Sequence, residues 1–415
     1  DSFFVAQVSE DAMTAISIVY PLQNLANAVG VGFGVGINAA VAYYLGAGNG
    51  KAANRSATLG IILSALHGIV LAGICVLFIR PFISMFTDSE EIVAYGLDYF
   101  YTVIAFAPVL TLGMAFEKVL QATGKMKTTM FCMAIGAVAN IILDPIFISG
   151  LGAVPAMGVF GAALATGIGQ TLSLISYIAV FLLAKIPVRL RLERRGEEKI
   201  CRKLYYVGIP ASLNLALPSF MITILNAILA AFAEVYVLIL GVYYKLQTFI
   251  YFTISGIVQG IRPLISYNLG AGRKDRVIGI FKVTLLLSLG VMVIGTILCL
   301  AIPKQLMDIF TDTPQTMEQG AVALRIISAG FIVSAISVVI SGTFEALGKG
   351  MPSLIISLLR YIAILPIALI MSYLFQAVGV WHSFWITELI SSVISGILFW
   401  RLFYKDRTKR NCECV

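Results

Sequence analysis

The sequence predicts an all-α polytopic membrane protein: twelve transmembrane helices in two six-helix lobes, arranged as parallel repeats, with the first helix truncated in this chain. Three observations predict it. The 415 residues are 59% hydrophobic and only 12% charged, with a mean hydropathy of +0.95. A soluble domain carries about 25% charged residues and could not cover its surface with so few. Apolar runs of about 20 residues recur, each long enough to cross a hydrocarbon core of about 30 Å, and they do not alternate as barrel strands do. The chain also contains itself twice. Tyr43, Leu45, Gly46, Ala47 and Gly48 recur as Tyr267, Leu269, Gly270, Ala271 and Gly272, and Phe86-Thr87-Asp88 recurs as Phe310-Thr311-Asp312. Ala122, Gly124 and Lys125 recur as Ala346, Gly348 and Lys349, and Tyr20, Leu22 and Gln23 as Tyr244, Leu246 and Gln247. The offset is 224 positions each time, without a gap. Such a duplication in an apolar chain marks a protein built from two similar membrane halves.

The elements follow in order. A remnant of span 1 runs from Asp1 to about Val8. Under the offset Asp1 aligns with Leu225, deep in a helix that starts near Lys203, so about twenty residues of span 1 are expected to be missing before Asp1. Spans 2 to 6 are expected at about 12–45, 54–84, 91–121, 127–149 and 158–185. Spans 7 to 12 are expected at about 203–232, 235–268, 275–302, 316–346, 351–376 and 381–404. Six spans per half leave both copies in the same orientation, related by an axis along the membrane normal. The expected division is an N-terminal lobe at 1–186, a cytoplasmic linker at 187–202, a C-terminal lobe at 203–404 and a tail at 405–415.

Lysine and arginine orient the spans. One set of loops carries Lys51, Arg55, Lys125, Lys127, the cluster from Lys185 to Lys203, Arg273, Lys274, Arg276, Lys349 and the tail. The other set carries only Arg80 and Lys304 beside acids such as Glu10, Asp88, Glu91 and Asp308. The positive-inside rule places the first set, with the linker and the C-terminus, in the cytoplasm of a plasma-membrane protein. The net charge of +8 comes from this bias. The basic stretch Arg189–Arg195 therefore reads as solvated or headgroup-facing, not as a nucleic-acid site. The six cysteines form no CxxC pair, and His67 and His382 complete no zinc site with them. Cys412-Glu413-Cys414-Val415 lacks the aliphatic middle of a prenylation box.

Gly30, Gly32, Gly34 and Gly36 form a GxGxGxG run inside an apolar helix, where close helix packing or a bend is the reading and phosphate binding is not. The paired Leu-Gly-Ala-Gly runs end spans 2 and 8, where glycine supplies a left-handed C-terminal turn. Ionisable residues inside the membrane are functional candidates. Asn140 and Asp144 lie at i, i+4 and share one face of span 5. Asp144 and Asp1 are expected at similar depth, about 9 and 12 Å from the outer ends of their helices. Two carboxylates with an amide could hold a proton or a sodium ion. A bond to a helix end or the Pro145 region is the alternative for Asp144. The set is not duplicated: Asp1, Asn140 and Asp144 align with Leu225, Ile364 and Ala368. The second half carries Lys245, Arg262 and Arg360 instead. Pairing with Glu388 or a backbone carbonyl is the alternative for Arg360. Gln23 and Gln247 are equivalent in the two copies, and either face a cleft or bond between helices.

These features resemble the multidrug and toxic compound extrusion (MATE) transporters over the whole chain. The residues that carry the resemblance are Asp1-Ser2-Phe3-Phe4-Val5, the Gly46-Ala47-Gly48 and Gly270-Ala271-Gly272 loops, Asn140 to Pro145, Gly208-Ile209-Pro210-Ala211 and Tyr267-Asn268-Leu269-Gly270. Lys245-Leu246-Gln247 through Gln259-Gly260 is similar to the MepA-like bacterial branch. The resemblance implies a V of two lobes that exports amphipathic, often cationic, compounds in exchange for H⁺ or Na⁺. It implies a cation-coupling site at Asp1, Asn140, Asp144 and Thr166, with any Na⁺ held at the first three. C-lobe coupling of the NorM type uses acids in helices 7 and 10; here span 7 has none, and Glu318 and Glu345 sit at the ends of span 10.

The expected protein is thus a secondary active antiporter of the plasma membrane, monomeric, working by rocking of two lobes. It is not an enzyme and has no cofactor beyond its coupling ion. Gln23, Gln247, Gln259, Arg262 and Arg360 are the candidate cleft residues. The nearest rival is a lipid-linked saccharide flippase of the same superfamily, kept open by Arg262 and Arg360. An intramembrane prenyl transferase would need an acidic cluster for Mg²⁺ and diphosphate, which the sequence lacks.

Overall fold

A computed structural model describes residues 2–5, 9–151, 154–191, 199–311 and 313–404. All regular elements among them are helical: α1 (Ser2–Val5), α2 (Glu10–Gly46), α3 (Gly50–Ile83), α4 (Glu90–Ala105), α5 (Ala107–Ala122), α6 (Met126–Ser149), α7 (Gly158–Leu183) and α8 (Ile200–Ala230). There follow α9 (Glu234–Gly270), α10 (Lys274–Ala301), α11 (Pro303–Asp308), α12 (Pro314–Ser328), α13 (Phe331–Ala346), α14 (Gly350–Tyr361) and α15 (Ile364–Phe399). Eight helical stretches among the described residues are long and apolar enough to cross a membrane, or ten if each of two bent pairs is one span. One of these stretches, Gly350–Phe403, has 54 residues, or roughly 80 Å at 1.5 Å per residue, enough for two crossings. It breaks at Phe375 and Gln376, where φ reaches 54°. Divided there, it supplies spans 11 and 12, and α1 stands at the place of span 1. Spans 2 to 12 thus have helical counterparts among the described residues, and Asp1 lies outside them.

Three expected spans are not single helices. The helix expected at 91–121 breaks at Phe106, where α4 and α5 meet at 42°. Pro108 lies in the first turn of α5; it lacks an N–H and its ring crowds the carbonyl four residues back. The helix expected at 316–346 breaks at Ala329 and Gly330, where α12 and α13 meet at 51°. A third break, between α14 and α15, falls four residues before Pro366, for the same reason.

The chain forms two compact units, Asp1–Ser212 and Leu213–Val415, and α8 runs across the boundary. The linker expected at 187–202 is partly ordered onto the first unit. The backbone N–H groups of Arg189 and Arg191 donate to Asn54 Oδ1 and Thr58 Oγ1 at 2.7 and 2.9 Å. Leu192 to Glu198, which includes Arg194 and Arg195 of the basic stretch, lies outside the described residues, as do Cys412 and Cys414.

In the first unit α2 is the central helix: 78% of its apolar window is buried, against 17% for α3. The glycine run explains how it can be central. A Cβ on Gly30 or Gly34 would lie 2.5 Å from Met114 Sδ or 2.8 Å from Lys118 Cγ of α5. On Gly32 or Gly36 it would strike the backbone of Ser212 or Leu204 in α8. Alternate glycines thus seat two different helices, and the close-packing reading holds. The expected glycine turns are also present: Gly48 and Gly272 have φ of 70° and 72°. After each, the next residue donates back into the helix, Asn49 to Tyr44 O and Arg273 to Asn268 O, both at 2.9 Å. Gly124 and Gly348, at φ 83° and 72°, close two more turns. These four glycines form two pairs, each spaced by 224 positions. The outward faces are apolar, with Leu77, Phe249, Phe252 and Leu286 largely exposed, as a lipid-facing surface requires.

Candidate functional site

The first unit brings Asn140, Asp144 and Thr166 together on α6 and α7. Gly136 and Gly169 make this possible. A Cβ on Gly169 would lie 2.7 Å from Gly136 O and 3.1 Å from Asn140 Cβ, so the two backbones touch one turn from the polar groups. Asn140 Nδ2 donates to Asp144 Oδ1 at 3.2 Å and to Thr166 Oγ1 at 3.4 Å. Thr166 Oγ1 in turn donates to the Ala162 carbonyl at 3.1 Å. Asp144 is 1% exposed. Tyr99, buried in the same cluster as Ile148 of α6 and Ala162 of α7, donates to Gln23 Oε1 at 3.3 Å. Tyr99 is a member that sequence reasoning missed: an aromatic residue in an apolar helix gives no polar signal. Gln23 thus bonds within the first unit, beside the expected cation site.

Asp1 lies outside the described residues. The helix after it, α1, packs on α2, α6 and α7, and Val5 is buried in one cluster with Ile148, Val159, Ala162 and Ala163. The start of the chain is therefore attached to the two helices that carry Asn140, Asp144 and Thr166. Chemically, the site is a buried carboxylate that accepts from an amide. Such a group can exchange a proton or a monovalent cation for its partner. The amide here presents its nitrogen to the carboxylate; sodium ligation calls for the amide turned so that Oδ1 faces inward.

In the second unit Arg360, on α14, donates from Nε to Glu388 Oε1 at 2.7 Å and from Nη2 to Tyr251 Oη at 2.8 Å. This is the Glu388 pairing that the sequence left open for it. Tyr251 is also bonded to Ser334 Oγ at 2.8 Å. These groups border a cavity of about 200 Å³ that Gln247 also lines. Gln259 is half-buried on α9 and does not line it. Lys245 lies over the Phe310 ring, 5.5 Å from its centre. Arg262 is not at the cavity either. Its Nη2 donates to Glu345 Oε2 at 2.5 Å, and Asn214 Nδ2 donates to both Glu345 Oε1 and Ser353 Oγ at 2.9 Å.

A polar cluster in the first unit escaped the sequence reading. Lys118 Nζ donates to Glu117 Oε1 at 2.8 Å and to Gln121 Oε1 at 3.2 Å, and Gln121 Nε2 donates to Glu117 Oε1 at 2.6 Å. Asn38 Nδ2 donates to the Lys118 carbonyl at 3.1 Å. Its signal was present: an adjacent acid and base inside an expected span. Under the 224 offset Asn38 corresponds to Arg262 and Gln121 to Glu345. Each unit thus has an ion pair in this part of the repeat, Lys118–Glu117 in the first and Arg262–Glu345 in the second, built from different positions. Among the described residues no group of three or more His, Cys, Asp or Glu side chains could hold a metal ion.

The MatE family model matches residues 1–146 and again 210–370. An FAD transporter of Shewanella oneidensis is 26% identical over 415 residues, covering 97% of this chain and 89% of that protein. The multidrug export protein MepA of Staphylococcus aureus is 26% identical over 409 residues, covering 98% and 89%. A crystal structure of a MATE protein in the bent conformation superposes with a TM-score of 0.91 at 22% identity, covering 99% of this chain and 91% of that one.

Proposed function

The chain belongs to the MatE family of membrane transporters, and from that premise we propose that it is a cation-coupled antiporter exporting amphipathic, often cationic, drug-like compounds across the plasma membrane. The observation that carries the coupling part is the Asn140–Asp144–Thr166 cluster, a buried carboxylate with hydrogen-bonded partners inside an apolar helix pair. A buried intramembrane carboxylate is costly to keep unless its charge is used. Proton or Na⁺ binding at Asp144, with Asp1 as second carboxylate, would differ between two access states and bias rocking of the two lobes. No counterpart of this cluster exists 224 residues later, which favours coupling in the N-terminal lobe. The similarity to MepA supports drug export.

The similarity to an FAD transporter favours a second reading, export of an anionic dinucleotide. The test of both uses full-length protein in vesicles under separate pH and sodium gradients, with ethidium and FAD as substrates. Ethidium efflux driven by one gradient and lost in Asp144→Asn is the expected result. If Asp144→Asn pumps at parental rates while Arg360→Ala loses its ion dependence, the coupling site lies in the other lobe.

A further inference from the structure

The cavity in the second unit presents its two charges unequally. Tyr244, Tyr251 and Phe384 provide aromatic walls, and Gln247, Arg360 and Glu388 the main polar groups. The guanidinium of Arg360 sits 5.1 Å from the centre of the Tyr251 ring and 5.5 Å from that of Tyr361. It uses Nε on Glu388 and Nη2 on Tyr251, while Nη1 makes no hydrogen bond to the described residues and is not sealed. Glu388 is the reverse: Oε1 is held by Arg360 and Oε2 is sealed within the unit. The Glu388 side chain is 15% exposed against 10% for Arg360, but its two oxygens are bonded to Arg360 or buried, so the spare donor at the pair is the guanidinium edge, backed by rings. Guanidinium edges form strong charge-assisted bonds with carboxylates, sulfonates and phosphates. Aromatic walls hold planar rings by offset or edge-on contact.

We propose that the second unit holds a subsite for planar aromatic anions, with Arg360 as the anion-binding group. Glu388 is the internal counter-charge that positions the guanidinium and lowers its affinity for an outside anion. The inference rests on the transporter reading and names the ligand class for one of its cleft residues.

The test titrates purified full-length protein calorimetrically with three probes that share one ring: 1-naphthalenesulfonate, 1-naphthylmethylammonium and 1-naphthalenemethanol. The sulfonate should bind at least tenfold tighter than the neutral alcohol. Arg360→Gln should erase that advantage and leave alcohol binding unchanged. Glu388→Gln should act in the opposite direction, tightening the sulfonate several-fold because the competing anion is gone. A pair that serves packing alone would make both variants lose binding of all three probes. That result overturns the proposal, and so does a preference for the ammonium that Glu388→Gln abolishes. If Arg360→Gln does not fold, the sign of the Glu388→Gln effect decides. Ethidium efflux dependent on Asp144 is followed in parallel. If it persists without sulfonate preference, the subsite alone is wrong; if both are absent, the transporter reading fails with it.

Discussion

Asp144 is nearly sealed and accepts a hydrogen bond from the Asn140 amide. Replacing it with asparagine removes the charge but keeps the shape. Asp144→Asn should therefore fold and bind substrate as the parent does while losing gradient-driven efflux, measured in vesicles. Thr166→Val removes the 3.4 Å acceptor for Asn140 and the bond to the Ala162 carbonyl but no charge, and should slow efflux far less. Glu345 presents a different case. It is 4% exposed and holds both Arg262 and Asn214. Glu345→Ala strands the part-buried Arg262 guanidinium, at a cost of up to about 3 kcal/mol, the low end for a buried pair, and should lower the thermal unfolding midpoint in detergent. Replacing Arg262 and Glu345 together by Met and Leu should restore most of that loss. Of these groups the sequence exposed Asn140 and Asp144, because one helical turn separates them. Thr166 entered through family resemblance. Tyr99 stayed hidden because what gives it meaning is a partner brought by folding, whereas Lys118 was legible beside Glu117 and was passed over.

At the scale of elements, helix existence was legible and helix continuity was not. Hydropathy reports that a segment is apolar, and α4–α5 and α12–α13 are apolar through their bends. The two breaks fall at equivalent places, Phe106 and Gly330 being 224 apart, yet their chemistry differs. Pro108 interrupts the first, while the second has no proline and passes through Gly330. Helix starts diverge in the same way. Ser9, Asn49 and Ser89 cap α2, α3 and α4 with side-chain oxygens. Their counterparts Ala233, Arg273 and Thr313 make no such bond. Geometry has outlasted the residues that produce it. Gly330 is also pressed on Trp385, whose Cα would lie 3.0 Å from an added Cβ. Gly330→Val should thus cost about 1–3 kcal/mol through overpacking. Pro108→Ala should leave stability intact and open the 42° angle, measured by spin-label distances across Phe106.

For the molecule as a whole, the 224 offset was the strongest signal in the chain, and the family model matching in two segments agrees with it. What the copies share is turns, glycines and a few loop charges such as Asp88/Asp312 and Lys125/Lys349; what they do not share is the charge inside the helices. That divergence is why the first unit is read as the coupling half and the second as a substrate half. Orientation rests on the lysine and arginine bias, a property of the loops and not of helix packing. Cys201, exposed at the start of α8, is its direct probe. An impermeant maleimide should label it in inside-out vesicles and leave it untouched in intact cells; labelling from outside would reverse the topology.

The alternating glycines of α2 make a prediction in the language of genetics. Alanine at position 30 meets the tip of Met114, a flexible side chain that a second mutation can shorten. Alanine at 34 meets Lys118, which can also be shortened, though at the expense of its bond to Glu117. Alanine at 32 or 36 meets the main chain of α8, and no substitution elsewhere removes a peptide group. A suppressor screen should therefore recover second-site revertants of Gly30→Ala at codon 114. From Gly32→Ala and Gly36→Ala it should return only restored glycine.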